Sequence, residues 1–69
     1  MSPDKKALLE KVRPFAAKVK GEIDEEHSTD ETVRVLNEFY CYDFDINGTV
    51  RVYDFKSEKT VEIPQDELI

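Results

Sequence analysis

Asp43, Asp45, Asn47 and Gly48 sit in the stretch YDFDINGTVRVYDF, residues 42–55, in the D-x-D-x-N-G order that opens a calcium-binding loop. An EF-hand takes side-chain oxygens at its first, third and fifth positions, a backbone carbonyl at the seventh and a bidentate carboxylate at the twelfth. Glycine belongs sixth, at the sharp bend. On this reading the calcium ligands are Asp43, Asp45, Asn47, Thr49 and Asp54. Three features oppose it. Asp54 is shorter than the usual Glu, VRVYDFK is poor material for an exiting helix, and the chain carries no second copy of the loop.

A β-hairpin explains the same letters with fewer exceptions. Ile46-Asn47-Gly48 suits a type I turn with Gly48 at positive φ, a three-residue loop closed by a bulge. Asp45 then faces Thr49, Phe44 faces Val50, Asp43 faces Arg51 and Tyr42 faces Val52. Tyr42, Phe44, Val50 and Val52 share one side, with Asp43 and Arg51 on the other. A two-residue Asn47-Gly48 turn would shift the register by one and set Tyr42 against Tyr53. Both registers bury aromatics, so the choice between them stays open. The hairpin is the expectation, and calcium binding the alternative.

His27 and Cys41 are the other residues suited to soft-metal or nucleophilic work. One of each supplies neither a zinc site's four ligands nor a base held by a third group. His27 is expected in a solvated connector, and Cys41 as a small core residue on a strand. Tyr40, Tyr42, Tyr53 and Phe55 are spaced to stack on single-stranded nucleic acid. Asp43, Asp45 and Asp54 would repel its phosphates, so direct nucleic-acid binding is not expected. No glycine-rich phosphate loop is present. The expectation is a protein that is not an enzyme and needs no cofactor.

A chain of 69 residues makes one small α+β domain, residues 1–69. Folding at this size buries only ~60% of the unfolded chain's surface, so stability is marginal without a partner or staple. Cys41 is the sole cysteine, which excludes an internal disulfide and points to a reducing, cytoplasmic setting. No apolar run approaches the ~20 residues that span a bilayer, and MSPDKKALLEK is too charged for a signal peptide. The net charge of −6 is uneven, +4 over residues 1–21 and −10 over 22–69. A basic helix lying over an acidic remainder accounts for this most simply. An acidic surface imitating nucleic acid, or a basic helix touching a membrane or an acidic partner, would use the same asymmetry.

Ser2-Pro3-Asp4 marks a helix start: a capping hydroxyl, a proline suited to the first position, and an acid at the positive dipole end. Leu8, Val12, Phe15, Val19 and Ile23 draw an apolar stripe at helical spacing. Pro14 interrupts it, so a kink or two abutting helices are expected. Residues 22–31 form a polar connector. Ser28 with Glu31 resembles a capping box that would start a second helix over 29–39, although Thr32-Val33-Arg34-Val35 alternates as a strand does. Helix is the narrow preference. Strands are expected over YCYDFDI, TVRVYDF and TVEI, with a turn around Ser57, Glu58 and Lys59 and Val52 paired with Ile63. Pro64 and the acids after it begin a short helix.

Tyr42-Asp43, Val50, Val52, Asp54, Ile63-Pro64 and Asp66-Glu67-Leu68 together resemble the C-terminal part of FlaG-type flagellar proteins, over about residues 42–68. There a strand ending in Y-D is followed by V-x-V-x-D, a turn and V-x-x-x-I-P before a helix opening on acids. This chain departs from the pattern by two apparent deletions, by the absence of a T-G turn and by lacking the closing helix. The resemblance implies a non-enzymatic accessory protein of the flagellar filament, with no catalytic residues to carry over.

The expected architecture is α+β, one or two N-terminal helices packed on a small three-stranded antiparallel sheet. Such a two-layer fold leaves one sheet face uncovered. The expected function is regulatory or accessory binding of another protein, through Tyr53, Phe55, Asp43, Asp45 and Asp54 on that face. A homodimer burying it is compatible.

Overall fold

The computed structural model describes residues 3–69; the proposed capping residue Ser2 lies outside them. Helix α1 (Pro3–Lys18) is followed by β1 (Glu22–Ile23), β2 (Thr32–Leu36), β3 (Tyr40–Asp45), β4 (Thr49–Asp54) and β5 (Lys59–Pro64), then a 3-10 turn at Gln65–Glu67. The described strands form a single antiparallel sheet in sequential order β1-β2-β3-β4-β5. The fold is α+β with one helix, and its sheet has five strands where three were expected.

Helix α1 runs unbroken through Pro14. Pro14 lacks the N–H that would bond the Glu10 carbonyl, but both residues face solvent, where water takes the orphan group's place. The helix ends at Lys18, before the apolar stripe does at Ile23. Lys20 adopts φ 57°, its N–H donates to the Ala17 carbonyl at 3.2 Å, and the Gly21 N–H donates to the Ala16 carbonyl at 2.8 Å. These are the paired bonds of a Schellman stop. Ile23 therefore leaves the helix and enters β1.

Residues 29–39 are not helical. Thr32–Leu36 is a strand with Val33 and Val35 wholly buried on one face. Ser28 caps no helix. Its hydroxyl donates to the Asp24 carbonyl at 2.7 Å and accepts the Arg34 N–H at 3.1 Å, tying the connector to β2. The short-range capping signal was real polar chemistry put to a turn.

The β3–β4 hairpin takes the three-residue loop. Gly48 has φ 97° and donates to the Asp45 carbonyl at 3.1 Å. Phe44 faces Val50, Asp43 faces Arg51 and Tyr42 faces Val52. Across the next turn Val52 faces Val61, and Val50 faces Ile63. The expected Val52–Ile63 pairing is thus displaced by two residues, which preserves the face. The turn comes earlier because Asp54 accepts the Lys56 and Ser57 N–H groups at 2.8 and 3.3 Å. Glu58, at φ 59°, then closes it.

Leu8, Leu9, Val12, Phe15 and Ala16 of α1 pack on Val33, Val35, Tyr42, Phe44 and Val50. Phe15 sets its ring edge-on to Tyr42 (5.0 Å between centroids, 87°) and to Phe44 (5.2 Å, 73°). Each large side chain so enclosed contributes ~1.5–3 kcal/mol relative to exposure. The helix lies toward β1 and β2, so β5 is open and Val61 is 55% exposed.

Candidate functional site

The face of the sheet away from α1 carries two rows of side chains, because alternate residues of every strand point there. One row is polar. Arg34, Asp43, Arg51 and Glu62 stand side by side on β2, β3, β4 and β5. The Arg34 guanidinium holds Asp43 through Nε at 2.8 Å and Nη2 at 3.4 Å. That contact keeps Arg34 still more firmly protonated than usual. Arg51, although directly opposite Asp43, reaches diagonally to Asp45 Oδ1 at 3.0 Å. Asp45 also accepts the Thr32 hydroxyl at 2.8 Å and the Thr49 hydroxyl at 3.3 Å. Two of the three aspartates expected to meet a partner, Asp43 and Asp45, are thus ion-paired within the sheet.

The second row is apolar. Leu36, Cys41, Tyr53 and Thr60 align across β2 to β5. Tyr53 and Phe55 touch edge-to-face with centroids 5.6 Å apart and planes at 73°. Phe55 donates its N–H to the Phe39 carbonyl at 3.1 Å, so Phe39 joins the same end of the sheet. Phe39 is 62% and Phe55 44% exposed. Phe39 was not among the expected contact residues. The signal existed, since the register that pairs Phe44 with Val50 also brings residue 39 opposite residue 55.

Asp54 belongs elsewhere. It faces Tyr40 and Lys59, on the helix side of the sheet at the end remote from the Gly48 loop, where it caps the β4–β5 turn. Its cross-strand partner Tyr40 lies three residues along β3 from Asp43 and five from Asp45, and the Asp54 side chain is on the opposite face of the sheet from both. Asn47 turns its Oδ1 to the Thr49 N–H at 3.0 Å and hydroxyl at 2.8 Å. The calcium-loop reading required helices on both sides and Asp54 folded back over the bend. Strands occupy both sides instead. Among the described residues no group of three or more His, Cys, Asp or Glu side chains is gathered to hold a metal ion.

Cys41 is buried at 9% exposure, but on the outer row and outside the main core cluster. Burial, with Asp43 nearby, pushes its thiol up from the ordinary value, which suppresses the reactive thiolate. His27 lies in the exposed connector, with Nδ1 2.7 Å from Asp24 Oδ2. That hydrogen bond holds Asp24 below the ordinary carboxylate value. The stacking platform is also divided: Tyr40 and Tyr42 lie on the helix side, 5.8 Å apart, while Tyr53 and Phe55 lie on the outer side.

Comparison with protein-family models, with curated proteins and with solved structures finds no match for this chain. No described helix is long and apolar enough to cross a membrane.

Proposed function

We propose that this chain is a non-catalytic binding protein whose partner is another protein, held on the outer sheet face by Phe39, Tyr53 and Phe55. The observation that carries the reading is the exposed Tyr53–Phe55 ring pair at the end of that face, Phe55 being 44% exposed, with Phe39, 62% exposed, bonded through its backbone beside it. Clustered aromatics bordered by polar groups suit a protein contact, because rings give large contact area with few rotors to freeze. Asp43 and Asp45 border the patch. They act by orienting Arg34 and Arg51, not as open acids. Their ion pairing weighs against a nucleic-acid mimic, which needs unpaired carboxylates spaced like phosphates. A flagellar accessory role would be one instance of such binding, and neighbouring genes test it.

Capture from a lysate of the native host tests the reading. Wild type, the Phe39→Ala/Phe55→Ala double variant and an Arg13→Ala control on the exposed side of α1 are compared, with folding verified by circular dichroism. A protein retained by wild type and control but lost from the double variant supports the patch. Equal capture by all three overturns it.

A further inference from the structure

Strand β5 is the sheet's long open edge. Lys59 to Glu62 are exposed on both faces, whereas the other edge, β1, has two residues and packs under α1. Gln65 donates its N–H to the Gly48 carbonyl at 2.9 Å, and residues 48 and 65 continue the register in which Thr49 faces Pro64. Bonded and non-bonded pairs alternate along an antiparallel ladder. Val50–Ile63, Val52–Val61 and Asp54–Lys59 are therefore the bonded pairs. The Phe55 to Phe39 bond gives the same phase, since it turns the odd-numbered residues of β4 to β3 and the even-numbered ones to β5. It follows that Thr60 and Glu62 aim their N–H and C=O groups away from the sheet.

Such an edge accepts another strand. We propose that the strand is β5 of a second copy, paired antiparallel about a two-fold axis at Val61. Only even-numbered residues of β5 point outward, which restricts the register, and charge selects within that restriction. Centred on Thr60, the pairing leaves Glu62 opposite Glu58 of the other copy, which sits in the turn at φ 59° with its N–H already donated to the Asp54 carbonyl. Glu62 then finds no full backbone partner and meets a like charge nearby. Centred on Glu62, it sets Glu62 against its own twin and brings Pro64, with no N–H, opposite Thr60. Centred on Val61, Thr60 meets Glu62 in both directions, hydroxyl against carboxylate, and all their outward backbone groups are bonded. Like charges directly opposite destabilise a strand pair, and this centring avoids them.

In that register Val61, 55% exposed in the single chain, meets its own twin as a non-bonded pair, where side chains approach most closely. Lys59 lies opposite Ile63 and can lay its methylene stem over it. The charges and proline that obstruct other pairings leave this one open. The contact uses the strand edge rather than the outer face, so it stands or falls separately from the partner patch.

Sedimentation of the full chain from about 10 µM to about 1 mM tests it, the range in which a small interface shows its dissociation. The expected result is a mass-average that rises toward twice the monomer. Thr60→Pro removes an N–H that faces outward, so it spares the β4 ladder; this variant should stay monomeric with unchanged circular dichroism. A cross-linking pair serves if that variant does not fold. In a Cys41→Ser background, Val61→Cys should oxidise to a disulfide-linked dimer, since twin residues at a non-bonded pair lie within disulfide reach. Thr60→Cys should not, because each Thr60 faces Glu62. A wild type that stays monomeric throughout, a dimer that a folded Thr60→Pro chain retains, or equal cross-linking of the two cysteine variants would each overturn the proposal.

Discussion

Gln65 spans the mouth of the β3–β4 loop, its side-chain nitrogen donating to the Asp45 carbonyl at 2.6 Å and to the Thr49 carbonyl at 3.0 Å. Its own N–H holds the Gly48 carbonyl at 2.9 Å. The residue is 7% exposed, so these bonds are shielded from water. A loop of three residues is thereby locked from outside by a residue seventeen positions beyond Gly48.

Gln65→Ala should lower stability by about 1–2 kcal/mol, because it removes two shielded side-chain hydrogen bonds while the Asp45 carbonyl keeps the Gly48 N–H. Gln65→Glu should cost at least as much, since a carboxylate cannot donate to either oxygen. Urea denaturation checks both, with the midpoint falling and the slope preserved.

Lys20→Gly should raise stability by about 0.5–1 kcal/mol. A side chain at φ 57° carries a penalty of about 1–2 kcal/mol, partly offset by glycine's greater freedom when unfolded. Gly21→Ala should act oppositely and cost about 1–3 kcal/mol through overpacking. Its added methyl would stand 2.8 Å from the Leu36 carbonyl oxygen and 3.0 Å from Val35 Cγ1. Thermal unfolding of the two variants against wild type reads the opposite shifts, about 4–8 °C per kcal/mol at this size.

Stability should fall on the alkaline side through Cys41 and Tyr42. Burial is the leading cause that raises both groups above their ordinary values of 9.0 and 10.0. The native state then binds more protons than the unfolded chain once pH exceeds those values, and stability declines as pH rises through that window. Below about pH 8 these two groups leave it essentially unchanged. Urea midpoints taken from neutral to strongly alkaline pH should drop, and Cys41→Val should remove the earlier part of the drop. The native thiol should also react slowly with disulfide reagents at neutral pH.

The hairpin was legible because its determinants are local. Gly48 alone in its loop tolerates φ 97° without strain, and Tyr42, Phe44, Val50 and Val52 alternate on either side of it. The register was not legible, since a two-residue Asn47-Gly48 turn also buries aromatics; the Gly48 bond to the Asp45 carbonyl decides it. Tyr53 and Phe55 were legible on the outer face from the same alternation, whereas Phe39 was missed. The ion pairing was less so. Arg51 stands opposite Asp43 yet binds Asp45, because Arg34 on a strand expected to be helical had already engaged Asp43. Gln65 gave no signal, since its partners lie across the fold.

Composition and period pointed, without any structure, to an amphipathic helix over one side of a ribbon turning at Gly48, with a calcium loop as the other reading of the same bend. Residues 29–39 are different. There a capping pattern and a β-branched alternation are nearly balanced in local free energy, so neither could prevail by itself. Tertiary contact decided it: Val33 and Val35 gain burial beside Phe44 and Tyr42, and the backbone groups of β2 find partners on β3. Hydrogen bonds and apolar burial between segments distant in sequence outweigh a few tenths of a kcal/mol of local preference.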